Sequence, residues 1–179
     1  MLGITNVKNN LIISQEEPTP EPEPVITYSD GLAYTLLAND TYSVSGIGTC
    51  TDSEINIPPT YNGKDVTEIG DAAFLNLSSI TNVTIPNTII TLGASAFRYC
   101  GSLTSVTIGT NVTTINSTCF TNSDYIVVTI LATTPPTLAS VNVFSNIKLI
   151  KIIVPQGSLS AYKSATNWNA FALKMEEAS

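Results

Sequence analysis

The sequence predicts a mainly β solenoid, and three observations carry that expectation. The first is a repeated block: ITNVTIPNTIITLGASAFRYCGSL at residues 80–103 is echoed by LTSVTIGTNVTTINSTCFTNSDYI at residues 103–126. The second is a fixed period. Phe74, Phe97 and Phe120 stand 23 residues apart and Phe144 follows after 24, while Val83 and Val106, Ile85 and Ile108, and Leu92 and Ile115 keep the 23-residue step. The third is alternation inside the unit, with Val83 and Ile85 facing in and Asn82 and Thr84 facing out, the pattern of a half-buried strand. A unit this short cannot bury its own apolar face and does so only against its neighbours, which is the physical meaning of a solenoid.

The elements follow in chain order. Residues 1–15 form a short β-prone arm with apolar Ile4, Val7, Leu11, Ile12 and Ile13, expected to anchor the chain to a partner. Residues 16–24, EEPTPEPEP, alternate acid with proline and favour an extended polyproline-type spacer of about 28 Å, at ~3.1 Å per residue. An N-terminal β cap is expected over 25–54, with a hairpin from Leu32 to Ile47 around the polar turn Ala38, Asn39 and Asp40. The solenoid is expected over 55–154. Its first repeat starts at Ile55 and is lengthened by a loop around Tyr61, Asn62 and Gly63. The next repeat places Val106 and Ile108 inward, with Ser105 and Thr107 outward. In the fourth unit a strict 23-residue step would bury Thr129 and Leu131, whereas a 22-residue step buries Val128 and Ile130. A one-residue slip exchanges the faces, so burial selects the shorter step. Ile152 and Val154 end the series. Residues 155–179 are expected as a helical cap and tail, in which SLSAYKSATNW sets Leu159, Tyr162 and Ala165 on one side and Trp168 and Phe171 close the far end.

Composition excludes several classes of function. Charged residues are 12% of the chain, against roughly 25% in an average soluble protein, so Thr, Ser and Asn must cover much of the surface. The net charge is −7 with no basic run, which argues against a nucleic-acid partner. Histidine is absent, removing the commonest general base and zinc ligand. Cys50, Cys100 and Cys119 form no CxxC pair and are odd in number, and they read as small buried apolar residues. The first 14 residues lack the basic and apolar regions of a secretory signal, and no run approaches the ~20 apolar residues of a membrane span. No membrane insertion is expected.

VTEIGDAAF at 66–74, VTIPNTIITLGASAFRYCGSL at 83–103 and SVTIGTNVTTI at 105–115 resemble the BspA-type leucine-rich repeat, whose unit reads approximately L-x-x-[IV]-x-I-P-x-x-[IV]-x-x-I-G-x-x-A-F-x-x-C-x-x-L. ATTPPTL at 132–138 and VPQGSLSAYKSATNW at 154–168 are similar to the family's closing segment. In the third unit Asn116 replaces the Gly, Cys119 the Ala and Ser123 the Cys. The resemblance implies a short leucine-rich-repeat solenoid between a β-hairpin cap and a helical cap, a role in surface recognition, and neither catalytic residues nor a cofactor.

Candidate sites are few. Asp52, Glu54, Asp65, Glu68 and Asp71 read as solvated acids, because no calcium-loop motif is present. Five N-x-[ST] sequons, at Asn39, Asn76, Asn82, Asn111 and Asn116, arise readily in a chain this rich in Asn and Thr. The outward ladder is the better binding candidate: Asn82 and Thr84, Ser105 and Thr107, Thr129, and Lys151 and Ile153, on four strands spanning about 14 Å. The expected whole is a non-enzymatic virion protein that acts as a homo-oligomer through avidity: the arm docks on a capsid or tail protein, and the head displays the ladder to a host surface protein or glycan. The alternative is a bacterial cell-surface adhesin-like module.

Overall fold

The computed structural model of the chain describes residues 26–123 and 125–179; the arm, the spacer and the five anchor residues lie outside the described residues. Among the described residues thirteen strands follow in chain order, the repeat strands built on alternating apolar residues. These are β1 (Ala33–Leu36), β2 (Tyr42–Gly46), β3 (Glu54–Asn56), β4 (Thr60–Tyr61), β5 (Lys64–Ile69), β6 (Asn82–Ile85), β7 (Thr91–Leu92), β8 (Ser105–Ile108), β9 (Thr114–Ile115), β10 (Tyr125–Ile130), β11 (Thr137–Leu138), β12 (Lys148–Val154) and β13 (Met175–Glu177). One helix, α1 (Leu159–Ser164), and two 3-10 segments, Val141–Phe144 and Trp168–Lys174, complete the elements among the described residues.

The strands form two sheets that the chain visits in turn. One has the order β13-β12-β10-β8-β6-β3 and is parallel throughout; the other has the order β1-β2-β5-β7-β9-β11, with β4 paired to β5 off that path, and is parallel apart from the β1–β2 and β4–β5 hairpins. Val83 faces Val106, which faces Val128, which faces Ile152. The 22-residue step into the fourth unit is therefore the register the chain adopts, with Val128 and Ile130 buried.

A third side of each coil carries the phenylalanines. It turns on two left-handed residues in each of three coils, Ala72 and Asn76, Ser95 and Tyr99, Thr118 and Asn122, and on Asn146 alone in the coil of Phe144. Non-glycine residues there cost roughly 1–2 kcal/mol each, least for Asn, and the same coil-to-coil hydrogen bonds recover it at every turn. Phe74 N–H donates to Ala96 O at 2.8 Å, Phe97 N–H to Cys119 O at 2.8 Å and Phe120 N–H to Val143 O at 3.0 Å. The rings of Phe74, Phe97, Phe120 and Phe144 consequently form one column, with centroids 5.1, 5.4 and 5.5 Å apart and planes within 7° of parallel.

Close approach explains the glycine after the short strand. A Cβ on Gly93 would meet Gly70 C and Asp71 N at 2.5 Å, so the coils could not stack unchanged. Asn116 holds the equivalent place one coil later and still donates its N–H to Leu92 O at 2.9 Å. Ser123 likewise substitutes for cysteine without loss of a contact: its hydroxyl donates to Phe97 O at 3.3 Å, as the Cys100 thiol does to Phe74 O at 3.1 Å.

Both ends are closed. The β1–β2 hairpin joins β5, and Ser29 N–H donates to Asn56 O at 2.9 Å, covering the outer edge of β3. At the other end the cap is latched by side chains onto the segment 132–138. Tyr162 Oη donates to Ala132 O at 2.7 Å, Trp168 Nε1 to Pro136 O at 2.6 Å and Asn167 Nδ2 to Leu138 O at 2.8 Å.

The structure adds three details to these expectations. The loop around Tyr61 is a hairpin, β4 against β5, turned by Asn62 and Gly63 at φ of 48° and 74°; Asn-Gly supplies the positive φ at both positions of a tight two-residue turn. The final residues are no simple tail, because β13 pairs in parallel with β12. Glu54, assigned to the cap, already belongs to β3 of the repeat sheet.

Candidate binding face

Because β6, β8, β10 and β12 keep one register, their outward side chains fall into rows. Asn82, Ser105, Val127 and Lys151 form one row; Thr84, Thr107, Thr129 and Ile153 form the next. The structure thus brings together all seven ladder residues named from the sequence. The face is wider than four strands. β3 adds Glu54 beside Asn82 and Asn56 beside Thr84, and β13 adds Glu176 beside Ile153. Six strands at ~4.8 Å span about 24 Å between the outer two.

The face has an uncharged centre and charged ends. Asn82 Nδ2 donates to Glu54 Oε1 at 3.3 Å, and Lys151 Nζ pairs with Glu176 Oε1 at 2.6 Å, with both partners substantially exposed. An exposed pair of this kind contributes about 0–1 kcal/mol to stability, so its main effect is to orient the Lys151 ammonium. Between the ends lie Thr84, Ser105, Thr107, Val127 and Thr129, short side chains that lose little rotamer entropy when a partner covers them.

Val127, Glu54, Asn56 and Glu176 are the members that sequence reasoning missed. The alternation around Ile55 carried the signal for two of them, and the 22-residue step that buries Val128 necessarily turns Val127 outward.

The acids read as solvated are partly engaged between coils. Asp71 Oδ1 accepts from Ala94 N–H at 2.6 Å, and Glu68 Oε1 accepts from Ser43 Oγ at 3.4 Å. Among the described residues no group of three or more His, Cys, Asp or Glu side chains could hold a metal ion. Burial pushes the Cys100 thiol up to about 11 and the Cys119 thiol higher still, so both are protonated, unreactive core residues. An open groove of about 810 Å³ runs past Thr67, Thr88, Thr110, Thr113 and Thr134, and Asp65 is the one titratable group lining it. A single carboxylate among threonines supplies no acid and base pair.

The model of the BspA type leucine rich repeat region matches residues 48–172, in six copies. The chain belongs to the BspA-type leucine-rich-repeat family. Solved leucine-rich-repeat proteins from bacteria share its fold. One from Bacteroides capillosus has a TM-score of 0.56 at 24% identity, covering 69% of this chain and 94% of that one. The T. pallidum leucine-rich-repeat protein has a TM-score of 0.55 at 15% identity, covering 71% and 70%. One from Bacteroides ovatus has a TM-score of 0.55 at 26% identity, covering 76% of this chain and 36% of that one, so this chain spans about a third of that protein. No curated protein matches the sequence significantly.

Within the BspA-type repeat each recurrent position has its physical task here. The two branched residues of the long strand and the one of the short strand fill the core, the glycine admits the neighbouring backbone, and the phenylalanine builds the ring column. Repeats of this kind are binding or structural modules in general. No helix among the described residues is long and apolar enough to cross a membrane.

Proposed function

We propose that this chain is a non-enzymatic recognition module whose partner docks on the six-stranded face, centred on Thr107. The observation that supports this most is the in-register pair of rows, which sets Asn82, Thr84, Ser105, Thr107, Thr129 and Lys151 on one rigid surface. Their backbone is fixed by parallel pairing on both sides, so binding orders little further.

Size sets the affinity. A face about 24 Å long and two rows wide falls short of the ~800 Å² per partner of a stable interface, so useful attachment needs several heads acting together. The acidic proline spacer at 16–24 suits such display, holding the head away from whatever carries the arm. The finer reading is a virion protein, docked by Ile4, Val7, Leu11, Ile12 and Ile13 on a capsid or tail protein and presenting the head to a host protein or glycan. The second reading is display at a bacterial cell surface, which the same multivalent face would serve.

Deleting residues 1–15 separates the two. The virion reading expects the shortened chain to melt at an unchanged temperature and to disappear from sedimented phage particles. Full-length chain found in the cell-envelope fraction, with none on particles, overturns the virion reading and leaves the cell-surface one.

A further inference from the structure

The N-terminal cap carries an aromatic cleft that the repeat architecture does not require. Ile55 and its neighbour Val83 are 28 residues apart, whereas Val83 and Val106 are 23 apart. The first coil therefore carries an insertion, and it holds the β4–β5 hairpin. β4 presents Tyr61, 38% exposed, against Tyr34 of β1, with ring centroids 3.9 Å apart and planes 15° from parallel. Tyr42 of β2 stands edge-on to both, at 5.0 Å from Tyr61 and 6.3 Å from Tyr34. These three separations close a right angle at Tyr61. Tyr42 thus lies beside the Tyr61 ring, and neither neighbour covers the outer face of Tyr61. A cleft of about 310 Å³ adjoins the pair, walled by Tyr28, Asp30, Tyr34, Pro58 and Tyr61.

We propose that this cleft binds a neutral, β-linked pyranose chain, stacked on Tyr61 and hydrogen-bonded by Asp30 and the tyrosine hydroxyls. A β-linked pyranose has equatorial substituents and offers a flat face of axial C–H groups, which packs on an aromatic ring whose own face is electron-rich. Its hydroxyls need polar partners at the ring edge. The Asp30 carboxylate is held in place by Gly31 N–H at 2.8 Å and supplies an acceptor. Tyr34 stays a neutral hydroxyl, since burial first and then the neighbouring Tyr61 and Asp30 raise it to about 12. The volume lies at the lower end of the roughly 300–1,000 Å³ of small-ligand sites and suits a short oligosaccharide end.

Geometry disfavours other occupants. An alkylammonium cage turns several ring faces towards one point, but Tyr34 and Tyr61 cover each other's inner faces. A proline-rich peptide needs slots between rings, and the 3.9 Å stack leaves none. The chain's own acidic spacer would also meet Asp30.

The test is an NMR titration of the full-length, 15N-labelled chain with cellotetraose and with chitotetraose, and in parallel with choline and an EEPTPEPEP peptide. One or both sugars should shift resonances of residues 28–34 and 58–64, with Kd near ~1 mM, as a single shallow cleft allows. Tyr61→Ala should weaken binding at least about tenfold, while Tyr61→Phe keeps the ring and stays within about threefold. Should Tyr61→Ala fail to fold, Asp30→Asn decides, with a weakening of about fivefold expected on loss of the charged acceptor. Thr107→Lys, on the six-stranded face, should leave sugar binding unchanged, which separates this site from the proposed docking face. Absence of shifts in the cleft with both sugars, full binding by Tyr61→Ala, or shifts caused by choline or the peptide alone would overturn the proposal.

Discussion

Replacing Phe97 by Ala tests the ring column at its centre. Phe97 is fully buried and sandwiched between Phe74 at 5.1 Å and Phe120 at 5.4 Å. Removing the ring forfeits a transfer term of about 2–3 kcal/mol. It also leaves a void of roughly 100 Å³, which at ~24 cal/mol per Å³ adds about 2 kcal/mol if the coils hold still. Two stacked contacts vanish as well, and partial collapse of neighbouring coils offsets part of the sum. The expected loss is about 3–5 kcal/mol, the usual range for buried Phe→Ala. Urea unfolding of the full-length chain, followed by far-UV circular dichroism, measures it through the midpoint at constant slope. Phe97→Leu, which keeps most of the volume, should lose about half as much. A loss below about 1 kcal/mol for the alanine variant would mean that Phe97 does not sit between two rings, and the stacking register would fall with it.

Three further outcomes are expected. Gly93→Ala places a methyl group 2.5 Å from Gly70 C and should destabilise by about 1–3 kcal/mol in the same assay, whereas Asn116→Ala one coil later should change stability by less than about 1 kcal/mol. Trp168→Phe should cost about 1–3 kcal/mol by leaving Pro136 O without its donor, and Trp168→Ala should add a cavity and increase binding of a hydrophobic dye at the C-terminal end. Stability should fall at alkaline pH. Cys100 and Tyr34 are raised by burial from 9.0 and 10.0 to about 11 and about 12, so the unfolded chain releases these protons first. Their contribution is complete below about pH 9 and is lost as pH rises through about 11 to 12. Cys100→Ser, which copies Ser123, should flatten the lower part of that decline in urea midpoints between pH 8 and 11.

The fold was legible because each apolar position recurs. A 23-residue step repeated in Val, Ile, Leu and Phe leaves one way to bury them all, and a single face-exchanging slip at Val128 sufficed to choose the fourth register. What was not legible lies outside the repeat. Asn62-Gly63 reads equally as a loose loop until the partner strand β5 is in place, although the dipeptide itself was the available signal. β13 has three residues, Met175, Glu176 and Glu177, with two acids that no strand pattern favours; its pairing is dictated by the open edge of β12. Of the binding face, the ladder residues were readable from alternation alone, but its width was not, since both outer strands come from segments that break the period. The Tyr34–Tyr61 stack is wholly tertiary: 27 residues separate the two rings in sequence, and only the joining of both hairpins to β5 brings them together.

The central claim, that the six-stranded face docks the partner, is most directly tested by attachment of beads carrying many copies of the full-length chain to a panel of bacterial and epithelial cells, scored by flow cytometry. Wild type is compared with the triple variant Thr84→Lys, Thr107→Lys, Thr129→Lys, whose outward side chains leave the core untouched and whose melting temperature should stay within a few degrees, as surface substitutions allow. The account predicts attachment of the wild type to at least one surface and a loss of at least about tenfold in the variant, because three desolvated ammonium groups replace hydroxyls across one row. Equal attachment by both proteins, or none by the wild type to any surface, would contradict it.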